Sequence, residues 1–155
     1  MSKILVAYFS ASGVTARAAR EMAQAVGADL YEIRPREPYT AADLDWRDKT
    51  SRCTREMTDP ASRPAVADRV EHMDAYDTVF VGFPIWWGVE PRVVDTFLES
   101  YDFTGKTVIP FATSGGSGMP YAQKHLQSQY PAFSWREGAL VNRGAAEWAK
   151  KALAE

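Results

Sequence analysis

The stretch Ile4-Leu5-Val6-Ala7-Tyr8-Phe9-Ser10-Ala11-Ser12-Gly13-Val14-Thr15 decides how this chain is read. Its first six residues are apolar and form a strand, and the remainder is a short hydroxyl-rich turn that opens a helical pattern. A strand that turns straight into a helix leaves the first helical N–H groups without backbone partners. The aligned peptide dipoles also make that end electropositive, so the turn is a cradle for an anion. Ser10, Ser12 and Thr15 supply hydroxyls, and Gly13 lets the backbone approach closely. Ala11 and Val14 complete a loop that contains no lysine. This pattern predicts a phosphate held by neutral donors, the alternative being a serine-rich helix cap with nothing bound.

Missing motifs narrow the ligand. A triphosphate loop requires G-x-x-x-x-G-K-[ST], and a dinucleotide fingerprint requires G-x-G-x-x-G. Neither is present, since Gly13 is the only glycine here. The strand ends Tyr8-Phe9-Ser10 without the acidic cluster of a phospho-acceptor domain. Cys53 has Asp59 six places on, where a cysteine phosphatase requires arginine, and Ser117 lacks the second glycine of a G-x-S-x-G elbow. A monophosphate ester is the ligand class that remains.

Composition sets broad bounds. The 155 residues are 46% hydrophobic and 25% charged, which predicts one ordinary globular domain over 1–155. A net charge of −2 gives no bulk electrostatic reason to bind nucleic acid. No apolar run approaches the roughly 20 residues that a bilayer requires, and Met1-Ser2-Lys3 leads into a strand without a leader-like segment. A single cysteine allows no internal disulfide. The expectation is a cytoplasmic protein that is a monomer or weak dimer. His72 and His125 lie far apart with no metal-ligand spacing, which predicts surface positions and no metal site.

Strand-like runs at Lys3–Phe9, Leu30–Arg34, Thr78–Phe83, Thr107–Thr113 and Ala139–Val141 alternate with helical segments. Such alternation implies parallel pairing through helical crossovers, hence an α/β class with a three-layer α/β/α sandwich. The first helix is expected over Gly13 to Val26, burying Val14, Ala18, Met22 and Ala25 and ending at Gly27. Between Glu37 and Pro64 the chain is polar and irregular, with a surface helix expected over Asp45–Thr58. Pro110 cannot donate to a central ladder, which predicts a bulge in the fourth strand.

In an open parallel sheet the ligand lies beyond the carboxyl ends of the strands. There the third strand ends in Pro84-Ile85-Trp86-Trp87-Gly88, whose indoles offer a stacking platform. The fourth ends in Thr113-Ser114-Gly115-Gly116-Ser117-Gly118, whose N–H groups can reach the edge of a planar heterocycle. The three loops together describe a ligand with a terminal phosphate and a flat aromatic system, which FMN fits best. Glu56 and Arg47, from the irregular segment, are further candidates to reach over it.

These three loops resemble the FMN-binding loops of the flavodoxin family, most closely its small single-domain bacterial branch, and the likeness extends over essentially the whole chain. The resemblance implies a five-stranded parallel sheet of order 2-1-3-4-5. It also implies that Ser10, Ser12, Gly13, Val14 and Thr15 hold the phosphate, that Trp86 or Trp87 flanks the isoalloxazine, and that Ser114 to Gly118 meet its pyrimidine side. Electron transfer with a redox partner protein or a small-molecule acceptor would follow. The near balance of charge departs from the acidic carriers of that family, and the glycine-rich fourth loop lacks the aromatic that commonly covers the second flavin face. Both keep open an NAD(P)H-dependent quinone or flavin reductase. A flavin-free interaction module is the third reading.

Overall fold

A computed structural model describes residues 3–154. Met1 and Ser2, read above as lacking a leader, lie outside the described residues, as does Glu155. The strands β1 (Ile4–Tyr8), β2 (Asp29–Glu32), β3 (Thr78–Pro84) and β4 (Thr107–Thr113) are followed by a fifth strand position split into β5 (Ser134–Trp135) and β6 (Ala139–Leu140). The helices are α1 (Val14–Val26), α2 (Arg52–Thr58), α3 (Arg92–Glu99), α4 (Met119–Gln129) and α5 (Ala145–Ala154). All ladders are parallel, and the order is β2-β1-β3-β4-β5, with β6 also on β4. The expected sheet order is the one observed.

Alternate residues of the central strands face opposite layers. Leu5, Ala7, Val79, Val81 and Val108 point to α3 and α4, against Val93, Phe97, Ala122 and Leu126. Val6, Tyr8, Phe80, Ile109 and Phe111 point to α1 and α5, against Ala19, Met22, Ala145 and Ala149. Both faces of the sheet are therefore covered, which is why β3 and β4 read as nearly continuous apolar runs.

Four expectations are corrected. The buried stripe of α1 is Thr15, Ala18, Ala19, Met22 and Ala23, so Val14 is left 46% exposed and Ala25 lies at the margin. Between Asp45 and Thr58 only α2 is helical. Asp45 and Asp48 take the N–H groups of Arg47 and Thr50, a local turn pattern that competes with helix, and Ser51 caps the helix that follows. That helix is no surface element, because Cys53 and Met57 are buried on its inner side. The strand β4 runs through Pro110 without a bulge, in register with β3. The extra residue sits in the neighbouring strand: Val108 pairs with Trp135 but Phe111 with Ala139, a shift of one. Val108 and Ala112 accept from Arg136 and Val141, so Pro110, in phase with them, turns its missing donor toward that interruption. Gly138 stands there because a side chain would meet the Pro110 carbonyl at 2.2 Å.

Candidate functional site

The carboxyl ends of β1, β3 and β4 lie side by side, Tyr8 beside Gly82 and Pro84 beside Thr113. Three loops leave the sheet there. In the first, Ser10 is a local cap whose hydroxyl oxygen accepts from Gly13 N at 3.1 Å and Ala16 N at 3.2 Å. Gly13 sits at φ 95°, a left-handed conformation suited to glycine, and a Cβ there would meet nothing within 4 Å. The N–H groups of Ser12, Val14 and Thr15 have no partner among the described residues. Ser12, Gly13 and Val14 are exposed and Ala11 is half-buried, so the cradle faces outward. Thr15 is different: its hydroxyl is buried and lies 2.7 Å from that of Thr113. That bond fastens the first loop to the end of β4.

The loop itself carries no cation, but the fold brings three to its flank. Arg17 and Arg20 of α1 and Arg143 of the segment after β6 line a cleft of about 500 Å³ with Ser12, Gly13 and Val14. Arg17 is shared with Glu21 at 3.5 Å. Arg143 gave no sequence signal, because its approach depends on how β6 meets β4.

The second loop separates the two tryptophans. Trp86 N donates to Val89 O at 2.9 Å and Val89 N to Trp86 O at 3.0 Å, with φ of 52° at Trp87 and 86° at Gly88. Positive φ at both central residues is the type I′ turn that asparagine and glycine ordinarily occupy. Trp86 points inward, edge-on to Phe9 at 5.5 Å and to Tyr39 at 5.4 Å. Trp87 points outward and is 46% exposed. A bulky residue held left-handed costs about 1–3 kcal/mol, strain that concentrates at functional sites. Pro84 and Ile85 are half-buried, and Ile85 N is tied to Thr113 O at 2.9 Å.

In the third loop Thr113 is buried, Ser114 half-buried, and Gly115, Gly116, Ser117 and Gly118 are exposed. Ser114 is clamped by Asn142, whose Oδ1 accepts from Ser114 N at 2.9 Å and whose Nδ2 donates to Ser114 O at 3.0 Å. Gly116 N donates to Ser114 Oγ at 3.0 Å. A Cβ on Gly115 or Gly116 would meet nothing within 4 Å, so the backbone there is open to approach. Across from it, Tyr121 of α4 is 68% exposed and its ring lies 3.2 Å from where a Gly88 Cβ would stand. The site thus joins unpaired N–H groups beside arginines, an outward indole, and an open glycine backbone. Those elements suit a ligand that is anionic at one end and flat at the other.

Two sequence candidates are elsewhere. Glu56 is buried and holds Arg52 and the Tyr39 hydroxyl, and Arg47 is exposed beside Asp45. His125, expected at the surface, is half-buried, with Nδ1 2.9 Å from Glu90 Oε1.

The family model described as Flavodoxin matches residues 3–155. Two crystal structures of proteins described as candidate flavoproteins are similar over nearly the whole chain. The one from Bacteroides eggerthii is 51% identical with a TM-score of 0.96, covering 99% of this chain and 97% of its own. The one from Bacteroides uniformis is 52% identical with a TM-score of 0.93, covering 99% of each. A flavoprotein from Lactobacillus acidophilus, crystallised in complex with FMN, shares the fold at 20% identity and a TM-score of 0.77, over 96% of this chain and 99% of its own. No curated protein matches this chain.

Proposed function

This chain belongs to the flavodoxin family, and we propose that it binds FMN across the ends of β1, β3 and β4, as one domain over 1–155, and acts in electron transfer. The observation that carries the reading is the Trp86–Val89 turn. It holds a left-handed tryptophan with its indole outward, at the same end of the sheet as the hydroxyl cradle and the open glycine loop. The complex of FMN with the Lactobacillus flavoprotein supports the choice of ligand.

The N–H groups of Ser12, Val14 and Thr15, with the Ser12 hydroxyl, would bind the phosphate, and Arg17 and Arg143 would balance its charge. Ser10, Ala11 and Gly13 shape that cradle. Trp87 would stack on the ring and Trp86 would hold the turn to the core. Backbone N–H groups from Ser114 to Gly118 would meet the heterocycle edge, with the loop fixed by Asn142. When bound, FMN supplies the redox chemistry and the protein sets its potentials. No side-chain acid or base is required.

The open backbone at Gly115 and Gly116 favours a second reading, in which a small acceptor or a nicotinamide donor reaches the ring directly. Anaerobic stepwise reduction of the FMN-reconstituted protein, followed by absorption, tests both. A resolved one-electron stage supports the carrier, direct passage to the two-electron product supports the reductase, and failure to retain FMN rejects both.

A further inference from the structure

Directly after the Trp86–Val89 turn, Glu90 is wholly buried, and Asp95 of α3 is 2% exposed. Each carboxyl keeps one oxygen satisfied. Glu90 Oε1 is 2.9 Å from His125 Nδ1, and Asp95 Oδ1 accepts from the Tyr130 hydroxyl at 2.8 Å. Each also keeps one oxygen without a hydrogen-bond partner, Glu90 Oε2 and Asp95 Oδ2. Buried polar atoms are paired as a rule, so two orphans in neighbouring side chains require a common cause. The two residues stand five positions apart at the start of α3, and each carboxyl acts on the other's surroundings. One proton between them satisfies both orphans at once, and two adjacent buried carboxyls cannot both ionise without a large penalty.

The surroundings agree. From α3, Arg92 approaches Asp95 only to 3.9 Å, and its guanidinium is committed to the carbonyls of Glu56 and Met57. Glu99 and Arg63 pair with each other at the edge, where Asp95 and Glu99 compete for the single proton of the Tyr130 hydroxyl, 2.8 Å from each. From α4 the facing group is His125, whose side chain is 25% exposed and is the link to solvent. Among the described residues, no group of three or more carboxylates, histidines and cysteines is arranged to hold a metal ion. Burial, and then the neighbouring Glu90, push Asp95 up to about 8.

The location gives this pair its role. Glu90 ends the turn that carries Trp87, and His125 belongs to the helix whose first turn carries Tyr121 against Gly88. We propose that Glu90 and Asp95 share one proton, and that this proton, joined to His125, fixes the Trp87 turn and the start of α4 at the spacing a planar ligand requires. These are positioning residues, and the proposal rests on the flavin reading only for the ligand's identity. Loss of the proton leaves two buried charges that push the turn away from α3.

The test compares the wild type with Glu90→Gln and Asp95→Asn, either of which supplies a permanent N–H donor in place of the shared proton. Wild-type FMN affinity is expected to be level at neutral pH and to fall at least tenfold as pH rises past about 8. Both amide variants should keep the neutral-pH affinity and lose that fall. In the apoprotein, infrared spectra at neutral pH should show the carbonyl stretch of a protonated carboxylic acid, absent from both variants and bleached in the wild type at high pH. A wild type with neither the band nor the fall overturns the proposal, as does a fall that persists in both variants. If FMN does not bind at any pH, the flavin reading fails, and the apoprotein band alone decides the shared proton.

Discussion

Replacing Trp87 by asparagine should separate function from stability. The turn holds Trp87 at φ 52° and Gly88 at φ 86°, and Asn-Gly is the preferred pair for that conformation. Relief of the left-handed strain is worth about 1 kcal/mol or more. The lost indole is 46% exposed and contributes only part of its burial to the apoprotein. Stability should therefore hold or rise by about 1 kcal/mol, a Tm gain of about 2–4 °C for a chain of this size. Binding should move the other way. A tryptophan presents about 250 Å². The exposed share is then roughly 115 Å², of which a flat ring covers about half, or about 1.5 kcal/mol at 25 cal/mol per Å². Stacking adds about 0.5–1.5 kcal/mol, for a combined loss of about 2–3 kcal/mol, or roughly 30- to 150-fold in Kd. Thermal unfolding of the apoprotein and a flavin-fluorescence titration measure the two quantities. Trp46→Ala, at a side chain 69% exposed, serves as the control and should move neither. A variant that loses more than about 1 kcal/mol of stability yet binds FMN as before would show that Trp87 serves the fold and not the ligand.

Three further perturbations probe other parts of the argument. Ser12→Glu places a carboxylate at the outward N–H groups and should weaken FMN at least tenfold while leaving apoprotein unfolding unchanged, and equal affinity in a titration would sink the phosphate assignment. Arg143→Gln should weaken FMN by about two- to fivefold, the range for an exposed ion pair, and leave riboflavin affinity unchanged; an equal effect on both would remove Arg143 from the phosphate. Gly82→Ala drives a Cβ to 2.1 Å from the fully buried Phe111 ring and should cost about 1–3 kcal/mol in urea unfolding, with Phe111→Leu in the same chain restoring part of the loss, and a neutral outcome would contradict the packing of β3 on β4.

What was legible in the sequence is what local physics decides. Apolar runs without alternation mark strands covered on both faces, a strand running into a hydroxyl turn and a helix marks an anion cradle, and Gly27 marks the end of α1. The order of the sheet and the three loops that meet above it follow from that alternation together with the family likeness. The rest depended on residues distant in the chain. Trp86 and Trp87 are chemically identical neighbours, and only Phe9, Tyr39 and the reversal at Gly88 send one inward and one outward. Thr15 is fastened to the end of β4 by Thr113, 98 residues away, whose hydroxyl lies 2.7 Å from its own. Arg143 and Asn142 reach the site because the split between β5 and β6 sets where the chain leaves the sheet for α5, a split that lies opposite Pro110 and depends on Gly138. Glu90, Asp95 and His125 read singly as ordinary polar residues, and only the fold gathers them into one cluster beside the Trp87 turn. Periodicity reports which way a side chain faces along its own element, and it carries no information about which partner waits there.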